Sequence, residues 1–298
     1  MSDEQQQDWR SRSDAQWQQQ LDADAFAVCR RRSHRFPARR VPDRGPVRSR
    51  RCSRFPSARG GCRGRGAMTL LPPPGVPGDA ARELTAGDCI GHYYLAADRR
   101  MACLAIPKCG CTSLINMLHA VSIPGFRSIG TRIHREATLP RVAAPACPMG
   151  VLRFSFVRNP YHRLLSFYRT KVLRMADPEP HVNATLRRMG LREGMSFAAM
   201  LDVLATVPPR EMDLHCAPQV LFLYHRGRPV VDVIGRLESL REDWSGLEAR
   251  CGVHAAVLQE NSKDSIELAG EYRDHGVRAA AHRLYRADFD TFGYADEL

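Results

Sequence analysis

Lysine is almost missing from this sequence. Of 44 Lys and Arg residues only three are lysines, Lys108, Lys171 and Lys263, so arginine is the default cation and each lysine invites a local reason. Ten cysteines are present, but no CxxC pair and no regular spacing accompany them. That excludes a disulfide-stapled miniprotein, gives zinc little support, and fits the reduced thiols of a cytoplasmic protein. No apolar run approaches the roughly 18–20 residues of a membrane helix. The RRRSHRF stretch, superficially a twin-arginine export signal, is followed by no apolar segment and is set aside. An Asp-rich cluster able to hold a metal is also missing, so no metal cofactor is expected.

What is there begins with charge. The 298 residues carry a formal +12, which invites a nucleic-acid reading until its distribution is followed. Residues 29–66 hold fourteen arginines against one acid, a net of +13, whereas residues 68–298 are nearly neutral at +3. The 29–66 stretch mixes Arg with Pro, Gly and Ser and offers almost nothing to bury, so disorder is expected there. It reads as an arginine-rich arm for nucleic acid or anionic lipid, or as a solvated tail upstream of a start at Met68. The tail is favoured, because no aromatic pattern or reading module goes with the charge. Residues 1–67 are therefore taken as a Gln/Arg-rich tail and residues 68–298 as one α/β domain, with folded sequence beginning near Leu84. Removing residues 1–67 is expected to leave the domain's ligand binding intact.

Two segments of that domain have chemistry written into them. Residues 101–106 (MACLAI) form a short continuous apolar run, the pattern of a buried parallel strand. Pro107 ends it, Lys108-Cys109-Gly110-Cys111-Thr112-Ser113 follows, and Leu114, Ile115, Met117, Leu118 and Val121 then recur at helical spacing. A strand, a tight loop and a helix start make a place for an anion, because backbone N–H groups point outward and the helix dipole favours negative charge. Thr112 and Ser113 add hydroxyls, and Gly110 permits a positive φ. Lys108 precedes the glycine, the reverse of a Walker A loop, which counts against a nucleotide kinase or NTPase even though VVDVIG (230–235) could serve as a Walker-B-like strand. The CxC pair is read as packing thiols rather than metal ligands.

The second segment, residues 151–157 (VLRFSFV), reads as another strand with Arg158 at its C-terminal end. Open α/β sheets place ligand contacts at that end. Asn159 is a good helix cap and Pro160 a good first helical residue. In the helix that follows, Tyr161, Leu164, Leu165, Tyr168 and Val172 share one face, with Arg163, Ser166 and Thr170 away from it. Arg158 and Ser166 could thus face one phosphate, a planar fork and a supporting hydroxyl. A solvated helix face accounts for the same pattern.

Together these segments resemble a known family. IPKCGCTSL (106–114) is similar to the 5′-phosphosulfate loop of sulfotransferases, and FSFVRNPYHRLLSFY (154–168) to their 3′-phosphate signature. The likeness is to carbohydrate sulfotransferases of the chondroitin and dermatan type, sulfotransferase family 2. It continues in order through MDLHCAPQ (212–219, with Cys216 where tryptophan is usual), VDVIGRLESLREDW (231–244, with Leu237 for phenylalanine) and LYRADFDTFGY (284–294). The resemblance implies a P-loop-like three-layer α/β fold, a central parallel sheet flanked by helices. It implies 3′-phosphoadenosine 5′-phosphosulfate (PAPS) as donor and a hydroxyl acceptor, foremost on a glycan, without metal. Lys108 and the Cys109–Ser113 loop would then hold the phosphosulfate, and Arg158 with Ser166 the 3′-phosphate. His134, in TRIHREATL, is the first candidate for the base that takes the acceptor's proton, with Glu136 and His215 behind it. Arg236 and the Asn261-Ser262-Lys263 run are weaker candidates for nucleotide contact. Oligomeric state is not legible.

Overall fold

A computed structural model of the chain describes residues 75, 77, 79–144, 147, 150–175, 180–255 and 270–296. The arginine-rich stretch, and Asn261, Ser262 and Lys263, lie outside the described residues. Among the described residues the first regular element is α1 (Asp79–Thr85). The strands follow as β1 (His92–Leu95), β2 (Met101–Leu104), β3 (Arg141–Ala143), β4 (Leu152–Val157), the small pair β5 (Tyr224–His225) and β6 (Arg228–Pro229), and β7 (Val233–Arg236). The helices after α1 are α2 (Cys111–Ser122), α3 (Ile133–Glu136), α4 (Pro160–Phe167), α5 (Pro180–Arg188), α6 (Phe197–Thr206), α7 (Val220–Leu223), α8 (Leu240–Cys251), α9 (His275–Leu284) and α10 (Arg286–Phe292).

The central sheet has the order β3-β1-β2-β4-β7. Its heart is parallel, β2 beside β4 from Met101↔Leu152 to Leu104↔Ser155, and β4 beside β7 from Phe154↔Val233 to Val157↔Arg236. β1 and β3 add an antiparallel margin. All four residues of β2 are buried, because both faces of the strand are covered; that is why MACL reads as a continuous apolar run rather than an alternation. Met101, Cys103, Phe154, Phe156 and Val233 pack on one side with Leu114, Met117 and Leu118 of α2 and Trp244 and Leu247 of α8. Ala102, Leu104, Val157 and Ile234 pack on the other with residues of α4, α6, α9 and α10. The result is a mixed α/β fold of three layers. At Gly235 a Cβ would stand 2.5 Å from the Phe156 ring, so only glycine lets that phenylalanine lie across β7. No helix among the described residues is long and apolar enough to cross a membrane.

The cap reading at Asn159 holds: its side chain accepts from the Tyr161 N–H at 2.9 Å, with Pro160 opening α4. Two expectations about this helix change. Arg163 and Ser166, placed away from the apolar face, are 2% and 3% exposed, because protein covers both sides of α4. From Tyr168 to Val172 the chain also widens into a π turn, with the Leu173 N–H donating to the Tyr168 carbonyl at 2.9 Å. Apolar spacing could not show this, since positions 168 and 172 fit a 3.6-residue period equally well.

Candidate functional site

Parallel neighbours β2 and β4 end side by side, and the two marked segments leave their C-terminal ends together. After β2 the chain turns sharply, the Cys109 N–H donating to the Ile106 carbonyl at 3.2 Å. Lys108 sits at φ +68°, in the left-handed region that side chains other than glycine's seldom occupy. Gly110, at φ +74°, precedes α2, and no side chain caps that helix start. A Cβ on Gly110 would come within 2.6 Å of Leu237 Cδ1, so the glycine serves both a backbone angle and a close approach.

The second segment grips the first by its backbone. Arg158 Nη1 donates to the Lys108 carbonyl at 3.3 Å, and Arg163 Nε to the Pro107 carbonyl at 3.1 Å. Arg163 also holds the Ala217 carbonyl at 2.8 Å and that of Leu214 at 3.2 Å, which explains how a buried guanidinium is tolerated in α4. Lys108 Nζ donates to Thr170 Oγ1 at 2.8 Å, and Thr170 in turn to the Ser166 carbonyl at 2.7 Å. Lys108, Arg158 and Ser166 are thereby brought into one connected group. Arg158 is 8% exposed, so it is largely stripped of water, where attraction for a phosphate is stronger than at an open surface.

His134 joins this group from α3. Its Nε2 lies 2.9 Å from Thr112 Oγ1 and 3.9 Å from Cys111 Sγ. Burial alone would raise the Cys111 thiol, but the hydrogen bond and charge of His134, with the charge of Lys108, outweigh it and hold the thiol below its ordinary value. Cys109, two residues earlier, packs into the core that also holds Leu104 and Leu165, whereas Cys111 is half-buried. Cys109 is fully buried, and burial pushes its thiol up to about 12. The CxC pair is therefore split between two environments. Among the described residues no three His, Cys, Asp or Glu side chains gather as a metal site.

The other candidate bases have different company. Glu136 pairs with Arg132 at 3.7 Å on the surface. His215 Nδ1 lies 2.7 Å from Asp213 Oδ1, and although burial would raise that carboxyl, the His215 contact lowers it. His119 is a packing histidine, held between the Ile115 carbonyl at 2.8 Å and the Thr138 N–H at 3.1 Å. Arg236, a weaker candidate for nucleotide contact, donates to the Phe292 carbonyl at 2.6 Å and lies 4.6 Å over the Tyr294 ring centre. Glu238 accepts the Asn159 N–H at 2.7 Å and the Tyr294 hydroxyl at 3.1 Å.

Sequence reasoning gave no role to Arg163, Thr170, Gln219 or Asp288. Gln219 and Asp288 are 0% exposed and connect the segments from the inside. Burial holds the Asp288 carboxyl above its ordinary value, against the opposing pull of Arg163 and of the N–H groups of Gln219 and Val220. Their only sequence signal was membership of the ordered C-terminal blocks. A family model described as "Sulfotransferase family" matches residues 91–295 of the chain. No curated protein and no solved structure matches it.

Proposed function

The chain belongs to the sulfotransferase family, and from that premise we propose that it transfers the sulfuryl group of PAPS to a hydroxyl, with sugar hydroxyls first among acceptors. The observation that carries the reading is the joining of the two phosphate segments, Arg158 on the Lys108 carbonyl at 3.3 Å. A donor with a phosphosulfate at one end and a phosphate at the other needs two anion grips held together.

Lys108 and the Cys109–Ser113 loop bind the phosphosulfate, and Arg158 and Ser166 the 3′-phosphate. The donor supplies an S–O bond whose cleavage leaves charge on the bridging oxygen. Lys108, aimed from the strand end, stabilises that charge while the acceptor oxygen forms the new S–O bond. His134 takes the acceptor proton at Nε2, the nitrogen already beside Thr112 of the loop. That contact favours it over Glu136 and His215. Fixed cations and N–H groups suffice for this chemistry, so the proposal includes no metal. Cytoplasmic residence belongs to the same proposal, as does the 68–298 extent of the working domain.

Calorimetry tests the donor. Adenosine 3′,5′-bisphosphate should bind without Mg²⁺, and equal or tighter binding of ATP with Mg²⁺ would replace this reading with a nucleotide kinase. With labelled PAPS and panels of glycan, lipid and phenolic acceptors, His134→Ala should lower turnover by about 10²–10⁴-fold. That loss in His215→Ala, and not in His134→Ala, would move the base to His215.

A further inference from the structure

Gln219 touches both phosphate segments at once. Its Oε1 accepts the Arg158 backbone N–H at 2.9 Å and the Cys109 thiol at 3.0 Å, while its Nε2 donates to the Arg158 carbonyl at 2.9 Å. Behind it stands the fully buried Asp288. One carboxylate oxygen accepts the Gln219 backbone N–H at 2.9 Å and Gln219 Nε2 at 3.3 Å, and the other accepts the Val220 N–H at 3.0 Å. The carboxylate fixes which way the amide faces. Nε2 must turn toward Asp288 and the Arg158 carbonyl, which leaves Oε1 for the two donors on the site side. A buried amide with every group engaged has one orientation, and what it holds has one spacing.

We propose that Gln219 is a positioning residue that sets the distance between the two anion grips, with Asp288 as the anchor that orients it. The inference rests on the donor reading above, in which the Lys108 loop takes the 5′ end and Arg158 the 3′-phosphate. A ligand bearing both groups gains its second contact as an intramolecular event, and that gain depends on the grips standing at the ligand's own span. A ligand with one phosphate has no such dependence. Gln219 therefore acts on the preference for a doubly anionic nucleotide, and not on the strength of either grip alone.

The test compares adenosine 3′,5′-bisphosphate with adenosine 5′-phosphate by calorimetry, in the wild-type chain and in Gln219→Leu. Wild type should prefer the bisphosphate. Gln219→Leu should lower bisphosphate affinity by roughly ten- to hundredfold and move the 5′-phosphate by less than about threefold. Circular dichroism checks the fold. Should the leucine variant fail to fold, Asp288→Asn carries the same comparison, because it keeps the shape, loses one acceptor for the three N–H groups and should shrink the preference in the same direction. Equal losses for both ligands in a folded variant, or no loss for either, overturn the positioning role. Absence of any bisphosphate preference in wild type overturns the donor reading itself, and that result needs no variant.

Discussion

Lys108 holds its backbone at φ +68°, so its two smallest replacements should part company. Both Lys108→Ala and Lys108→Gly delete the ammonium group and its 2.8 Å bond to Thr170 Oγ1, so that loss is common to the pair. They differ at Cβ. A left-handed conformation costs a residue with a Cβ about 1–2 kcal/mol and glycine almost nothing. Against this, glycine gives the unfolded chain more freedom, which offsets about 0.4–1 kcal/mol. The glycine variant should therefore be the more stable by about 1 kcal/mol. For a domain of this size that is a difference of about 2–4 °C in melting temperature. Turnover should fall about 10²–10³-fold in both, since neither can stabilise charge on the leaving oxygen. Melting followed by circular dichroism, with labelled-sulfate transfer on the same samples, reads both quantities. An alanine variant as stable as the glycine one would refute the left-handed backbone. Undiminished turnover in either would remove Lys108 from the chemistry.

Two further outcomes follow from the interior. Arg163→Met should cost about 3–5 kcal/mol by urea unfolding, because three backbone carbonyls, those of Pro107, Leu214 and Ala217, lose a charged donor at once; a loss under about 1 kcal/mol would show that water replaces it. At neutral pH iodoacetamide should modify Cys111 before the other described cysteines, and more slowly in His134→Ala. A thiol held below its ordinary value carries more thiolate there, whereas burial raises Cys103, Cys109 and Cys216. Earlier labelling of a buried cysteine would contradict the assignment.

The strands and loops of the candidate site were legible because their constraints are local. An apolar run closed by Pro107, and Asn159-Pro160 after a second run, announce β2, β4 and the starts of α2 and α4 whatever surrounds them. The sheet's antiparallel margin was less so, since β1 and β3 are four and three residues long and carry no period to read. Burial of Arg163 was out of reach for a different reason. Its position on α4 reads as polar, and what satisfies it is three carbonyls from distant turns. Gln219 and Asp288 are the extreme case, because an amide and a carboxylate acquire meaning only through partners far away in sequence. His134 lay between: the family resemblance suggested it, and the 2.9 Å contact with Thr112 ties it to the loop.

The Gln219 bridge also bears on the order in which the molecule can be made. Its contacts reach back 110 residues to Cys109 and 61 to Arg158, and forward 69 to Asp288. Strands β2 and β4 can pair while later chain is still being synthesised, and the lysine loop can turn. The amide that spaces the two grips cannot lock until α10 has left the ribosome and docked. Contacts of such separation close late, after their loop entropy has been overcome. A nascent or refolding chain should thus acquire its secondary structure first and its taste for a doubly phosphorylated nucleotide last, making ligand binding a reporter of the final step of folding.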